Sequence, residues 1–368
     1  MDPPANRMRR RRFMLEKLPS ELTEEILCKC TVEVMRSLIC VSPIVKSIVG
    51  NPEFQERYLR RNLEADDETL LLASEGWDFT TVNLAKSSTS SSFLHSTPKP
   101  TNQMEQAMGM IVSGYGKKVS IFKPTNGFSL DLPIFPKTHG EAKSYVGFDF
   151  SCCFYKILGM CKAEEGGDWI NHHVLTLDPA RPLEWRAIDC EFPHAIYPCS
   201  ISHESKSICL KDTIFYPAHL VKKKKIGIMR FHLPTERYKV NEVPYDSTLG
   251  IYYWGSTLLE IRGCVGVSFL EHGGDRRIMI LEDAQEDKWS TLLIQTPPSI
   301  CELIKPWPAL AFEGIARGGE VVYSQSEGRV LYLYLYNPKT LQVHKKAVAR
   351  AGGGGGSRFS FWNFVELS

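Results

Sequence analysis

The sequence predicts an α+β multidomain chain, with a small helical unit at the N-terminus followed by a large all-β domain. Three observations predict it. Apolar residues between about 18 and 58 recur at helical spacing. From about 104 onward they gather into short runs of β-branched, aromatic and leucine residues. Between the two lies KSSTSSSFLHSTPKPTN, residues 86–102, whose Ser, Thr and Pro content reads as a loop or linker.

The helical unit reads as four short helices. Pro19 and Ser20 open the first, with Ser20 able to cap the free amides at its start. Leu22, Ile26, Leu27 and Cys30 follow at helical spacing. Glu21, Glu24 and Glu25 crowd the first turns, where the helix dipole favours acid. Thr31 is the second cap, followed by Val32, Met35 and Ile39. Ser42 then caps a third helix with Pro43 at its first position, where the missing N–H costs nothing. Asn51–Pro52 repeats that device, Phe54 and Tyr58 share a face, and Arg60–Arg61 ends the unit. Forty residues have little interior, so part of this apolar surface is expected to meet a partner.

The β-like runs are Val119–Phe122, Tyr155–Cys161, His173–Leu177, Ile226–Leu233, Val265–Leu270, Ile278–Leu281 and Val330–Tyr336. Turn signals separate them at Pro124–Gly127, Glu165–Asp168, His272–Asp275 and Asn337–Pro338. Short strands at even spacing imply a sandwich, a barrel or a propeller. At ~40–45 residues per blade, a propeller from about 65 to the end would hold six or seven blades. The glycines of 352–356 read as a flexible turn before a last strand, Phe359–Val365.

Composition narrows the function. The 368 residues carry 44 basic and 42 acidic side chains, a balance that does not suggest a nucleic-acid or membrane-surface protein. The start, MDPPANRMRRRRF, has no apolar stretch behind its charges, no run reaches the length of a membrane span, and no N-x-S/T acceptor occurs. The cytosol or nucleus is expected. Eleven cysteines without a C-x-x-C pair, in a chain this long, are read as free and mostly buried thiols.

Lys17 to Asn62 resembles the F-box. The family's pattern is matched in order by Leu18–Pro19, Leu22, Glu25–Ile26–Leu27, Cys40–Val41 and Asn51–Pro52–Glu53–Phe54. Thr31, Glu33 and Val45 depart from its usual Pro, Lys and Trp. The remainder resembles the F-box associated domain of plant proteins, a β-propeller-like module. The pieces that carry it are IFKPTNGFSLDLP (121–133), YVGFDFSCCFYKILGM (145–160), HHVLTLDPARPLEWRAIDC (172–190), FHLPTERYKVNEVP (231–244), ILEDAQEDKWS (280–290) and YLYLYNPKT (332–340). Lys123 and His232 stand where the family has Asn and Asp. The resemblance divides the chain into an F-box at 14–62, a connector at 63–103, and the propeller-like domain at 104–368, with first strands possible from near 68.

It implies a non-catalytic substrate-recognition subunit of an SCF-type (Skp–cullin–F-box) ubiquitin ligase. The partners would be a Skp-type adaptor, through it a cullin, and an unidentified protein substrate, without nucleic acid or membrane. The adaptor-binding positions carried over are Leu18, Pro19, Leu22, Ile26, Leu27, Val32 and Met35. No catalytic residue, cofactor or metal is expected. The three departures motivate an alternative, a ligase-independent scaffold with a diverged F-box.

Other motifs resolve to ordinary readings. His203–Glu204 begins an H-E-x-x pattern, but Ser207 stands where the second metal ligand belongs. His172 and His173 adjoin on a strand and so point to opposite faces. No Cys/His block shows zinc spacing. Arg7 with Arg9–Arg12, and Lys222–Lys225, read as solvated charge or a nuclear import signal.

Overall fold

The computed structural model describes residues 18–30, 32–51, 53–55 and 57–58 and, from 69 to 362, all but 75–78, 85–90, 94–103, 114–117, 125, 137–141, 163–168, 197–206, 221–222, 224, 245–251, 272–273, 301–309, 328–329 and 349–356. Three helices come first: α1 (Ser20–Cys28), α2 (Val32–Ile39) and α3 (Pro43–Val49), with residues 53–55 and 57–58 helical beyond them. Ser42 caps α3 as expected, its hydroxyl accepting from the Val45 N–H at 3.4 Å. At α1 the expectation shifts by one residue. Pro19 is the cap and Ser20 lies inside the helix, because the Pro19 carbonyl already accepts from the N–H and hydroxyl of Thr23.

Strands begin well before residue 104. β1 (Thr69–Ser74), β2 (Phe79–Asn83) and β3 (Ser91–Phe93) form one antiparallel sheet. The stretch read as connector therefore supplies three strands, and Ser91–Phe93 of the Ser-rich segment is paired to β2. The second sheet holds β4 (Met104–Ala107), β5 (Met110–Ser113), β6 (Ser120–Lys123) and β7 (Phe128–Asp131). The third holds β8 (Ala142–Asp149), β9 (Phe154–Lys162), β10 (Trp169–Thr176) and β11 (Arg186–Ile188). The fourth holds β12 (Ala195–Ile196), β13 (Ile208–Leu210), β14 (Thr213–Leu220), β15 (Lys225–His232) and β16 (Arg237–Glu242). The fifth holds β17 (Tyr252–Ile261), β18 (Cys264–Leu270), β19 (Arg276–Asp283) and β20 (Lys288–Ile294). The sixth holds β21 (Ala311–Ile315), β22 (Val321–Glu327), β23 (Val330–Asn337) and β24 (Gln342–Val348). The last strand, β25 (Ser357–Trp362), returns to pair antiparallel with β1.

Six apolar cores, each shared by two neighbouring sheets, close these sheets into a ring. Leu71, Phe79, Ile111 and Phe122 join the first to the second. Ile121, Val146, Phe148 and Ile157 join the second to the third. Leu158, Val174, Tyr216 and Phe231 join the third to the fourth. Phe215, Ile228, Val267 and Phe269 join the fourth to the fifth. Ile278, Tyr323 and Tyr336 join the fifth to the sixth. Leu70, Leu72, Val322 and Leu333 join the sixth back to the first. Of the three architectures the strand spacing allowed, this is a propeller, with six sheets as blades.

Burial follows position in the blade. The first strand β8 is buried along its whole length, whereas the fourth strand β7 is exposed along its own. The buried strand also carries Lys143 and Asp149, which are tolerated there because each faces an opposite charge, Glu105 and Lys156 respectively. The first strands β4, β8, β13 and β17 also lie against one another.

Four of the hairpins between third and fourth strands use one five-residue turn, at 123–127, 232–236, 283–287 and 337–341. Its fifth residue is left-handed each time: Gly127 (φ 71°), Glu236 (54°), Asp287 (53°) and Leu341 (59°). Asp283 and Asn337 stabilise it by accepting from the N–H groups two and three residues on, at 2.7–3.2 Å. At the first position, His232 bonds the Thr235 hydroxyl instead, at 2.8 Å. In the turn that begins at Lys123, Asn126 accepts from the Phe128 N–H at 2.9 Å. The turn survives both replacements.

Candidate functional site

The helical unit is built on the propeller, with which it shares a core. Leu27, Cys28, Met35, Val45, Ile48, Val49, Phe54 and Tyr58 join the same apolar cluster as the second and third blades. Polar contacts fix the closure. Tyr58 donates to the Cys30 carbonyl at 3.2 Å, Arg57 pairs with Glu24 at 2.9 Å, and the Gln55 amide donates to the Val49 carbonyl at 3.0 Å. Asp212, in the β13–β14 turn, accepts from the Phe150 N–H at 2.7 Å and also bonds Gln55. Burial pushes its carboxyl up.

What the packing leaves outside is a row. Leu22 and Ile26 are spaced by four residues and therefore lie along one side of α1, and Leu18 precedes the helix at its N-terminal end. Leu18, Leu22 and Ile26 are 37 %, 48 % and 43 % exposed. Pro19 is exposed beside them. Val34 on α2, Val41 in the turn after it and Ile44 on α3 are exposed as well. Of the seven positions expected to bind an adaptor, Leu27 and Met35 are 0 % exposed. Both belong to the core that attaches the unit to the propeller, and periodicity alone cannot say which stripe of a short helix turns inward. The side chain of Val32 and the whole of Thr31 lie outside the described residues. Val45, where the F-box pattern has Trp, is fully buried, so its smaller size concerns internal packing.

A second constellation lies between the third and fourth blades. Asp149 pairs with Lys156 at 2.9 Å, Lys156 with Glu236 at 3.2 Å, and Glu236 with Arg186; Lys156 also donates to the Leu233 carbonyl at 2.6 Å. Burial pushes the Asp149 carboxyl up. The hydrogen bonds from Ser151 and Lys156, with the lysine's charge, outweigh it and hold the carboxyl below its ordinary range. Burial likewise pulls the Lys156 ammonium down, but Asp149 and Glu236 raise it above its ordinary value. Such a network ties blades together.

Close by, the fold assembles a group that the sequence reading missed. One ligand atom from each of His172, Cys190 and His194 lies within 4.8 Å of the others. His172 shares a hydrogen bond with the Tyr238 hydroxyl at 2.7 Å. His194 bonds the Phe192 carbonyl through Nδ1 at 2.7 Å and the Tyr216 hydroxyl through Nε2 at 3.0 Å. Burial pushes the Cys190 thiol up to about 11. The one sequence signal was local: Cys190 and His194 are four residues apart. His172 comes from β10, which pairs with β11 so that His172 lies opposite Ile188, two residues before Cys190; His173 faces the other way, against Phe135, as strand alternation requires.

Other expectations fare variously. Of the nine described cysteines, only Cys28, Cys153 and Cys161 are buried. Lys223 and Lys225 both pair with Glu242, the latter at 3.2 Å. Arg7, Arg9–Arg12, His203–Glu204 and the glycines of 352–356 lie outside the described residues. In the inner ring, Glu105 accepts from the Ser207 N–H and hydroxyl at 2.7 Å each and faces Lys143 at 3.8 Å. That carboxylate braces three blades. Among the described residues no helix is long and apolar enough to cross a membrane.

Fold and site together define a β-propeller protein with a helical cap whose outer apolar row is uncovered. The family described as F-box associated beta propeller domain matches residues 62–353, and the chain belongs to it. Similar proteins from Arabidopsis thaliana include F-box/kelch-repeat protein At3g04660, 23 % identical over 95 % of this chain and 92 % of the relative. F-box protein DOR is 26 % identical over 92 % and 89 %. F-box protein At1g47810 is 24 % identical over 75 % and 87 %.

Proposed function

We propose that this chain is a substrate-recognition subunit of an SCF-type ubiquitin ligase. The helices of residues 14–62 act as the F-box and bind a Skp-type adaptor, and through it a cullin, while the propeller holds a protein substrate. The observation that carries the reading is the exposure of Leu22 and Ile26 on α1, with Leu18 before it, on a unit whose core is shared with the propeller. An apolar row of this kind, rimmed by Glu21 and Glu25, has the apolar-centre, polar-rim character of a protein interface. Rigid attachment matters to the mechanism. A receptor with no chemistry of its own works by raising the effective concentration of substrate near a charged ubiquitin carrier, and a cap that shares its core with two blades keeps that distance fixed. Such a receptor works in the cytosol or nucleus.

The test is co-purification of the full chain with a plant Skp-type adaptor. The native chain is expected to bind, and Leu22→Asp combined with Ile26→Asp is expected to abolish binding while leaving the melting temperature within a few degrees. Absence of binding by the native chain would overturn the reading in favour of a ligase-independent propeller scaffold.

A further inference from the structure

We propose that His172, Cys190 and His194 form a binding site for one zinc-type divalent ion, which clamps the third blade to the fourth. The donor set is the first reason. Two imidazoles and a thiol are the mixed nitrogen–sulfur set that borderline-soft tetrahedral ions select over calcium or magnesium. Geometry is the second. A tetrahedral ion with bonds of ~2.0–2.3 Å holds its donors roughly 3.5 Å apart, so a cluster within 4.8 Å closes on it by about 1 Å of side-chain movement.

The outer hydrogen bonds are the third reason. The Phe192 carbonyl can only accept, so Nδ1 of His194 carries the proton and Nε2 presents its lone pair. A backbone carbonyl holding the far nitrogen of a ligating histidine is the usual orienting arrangement at metal sites. Nε2 now accepts from the Tyr216 hydroxyl; the ion takes the place of that proton. Tyr238 bonds His172 on the other side. Either tyrosine oxygen, or a water, is positioned to complete four-coordination. Placement is the fourth. His172 is on β10, Cys190 and His194 lie on the connection from β11 to β12, and the tyrosines are on β14 and β16, so the ion would bridge the two blades. His172 and His194 are 2 % and 0 % exposed, which suits a structural ion.

The test uses the full chain, stripped with chelator and titrated with Co²⁺. One equivalent is expected to bind, with thiolate-to-cobalt charge transfer and the visible bands of a tetrahedral site, and Zn²⁺ is expected to displace it. Cys190→Ser removes the charge-transfer band, whereas Cys264→Ser retains it. Absence of the band in the native chain, or its persistence in Cys190→Ser, overturns the proposal. X-ray absorption of the Zn²⁺-loaded native chain tests it without any variant: one sulfur and two imidazole nitrogens are expected, and a shell without sulfur overturns it.

Discussion

Leu22 and Leu27 are five residues apart on one helix and have opposite fates. Leu22 is 48 % exposed; Leu27 is in the core shared with the blades. Leu27→Ala is therefore expected to cost roughly 2–5 kcal/mol through lost contacts and a cavity, read as a lower denaturant midpoint. Substitutions at Leu22 and Ile26 are expected to change partner binding with little effect on stability. Val45 sharpens the contrast: replacing it by the Trp of the F-box pattern would overfill a closed site and destabilise the chain by about 1–3 kcal/mol. Lys156 carries a pH prediction. Asp149 has a lowered folded value, so its contribution is complete above the ordinary aspartate range and is lost as pH falls through the folded value. Lys156 has a raised one, so its contribution is complete below the ordinary lysine range and is lost as pH rises through the folded value. The network should be flat through neutral pH and fail at both extremes. Lys156→Met leaves the buried Asp149 carboxylate without its cation and should cost about 3–5 kcal/mol at neutral pH. That deficit should shrink on acidification, which chemical denaturation of native and variant chains across pH would measure.

At the scale of elements, the segment after β7 is held to the third blade by an aromatic plug. Phe135 packs edge-on to Trp185 at 4.8 Å and to His173 at 5.0 Å, and the Trp185 indole donates to the Pro133 carbonyl at 2.8 Å. The plug fits because β9 carries a glycine beneath it: a Cβ on Gly159 would come within 2.1 Å of the Phe135 ring. Gly159→Ala is expected to lower the denaturant midpoint by about 1–3 kcal/mol of stability, and Phe135→Leu in the same chain should recover part of the loss. The repeated hairpin turn belongs to this scale too. Four of the six stretches that carried the propeller resemblance are copies of that one turn with its flanking strands. The pattern persists because the left-handed fifth residue and local capping can be supplied in more than one way.

At the scale of the molecule, stability depends on a closed ring. Each blade buries its faces against two neighbours, so an open ring leaves two apolar faces uncovered. Closure is made by β25, which pairs with β1 from Leu70 to Ser74. Truncation before Ser357 would leave β1 with an unpaired edge in the middle of a blade. The truncated chain is expected to melt at lower temperature and to self-associate, as size-exclusion chromatography with light scattering would show. Adaptor binding through α1 should weaken only as far as the chain unfolds, because that row lies on the cap over the second and third blades.

The sequence by itself determined the two-part character of the chain, the strand runs and the Ser42 cap, because these follow from local period and propensity. Tertiary structure decided the rest. Whether Leu27 and Met35 face a partner or the propeller depends on blades distant in sequence. The choice of propeller over sandwich or barrel rests on which sheets share cores, and those contacts span the chain. In 63–103, the apolar residues Leu70, Leu71, Leu72 and Phe79 mark β1 and β2, and only the short β3, SSF, is shown by its partner alone. His172 and Cys190 meet because β10 pairs with β11, and His194 joins them on the connection to β12; that strand register is not visible in linear spacing.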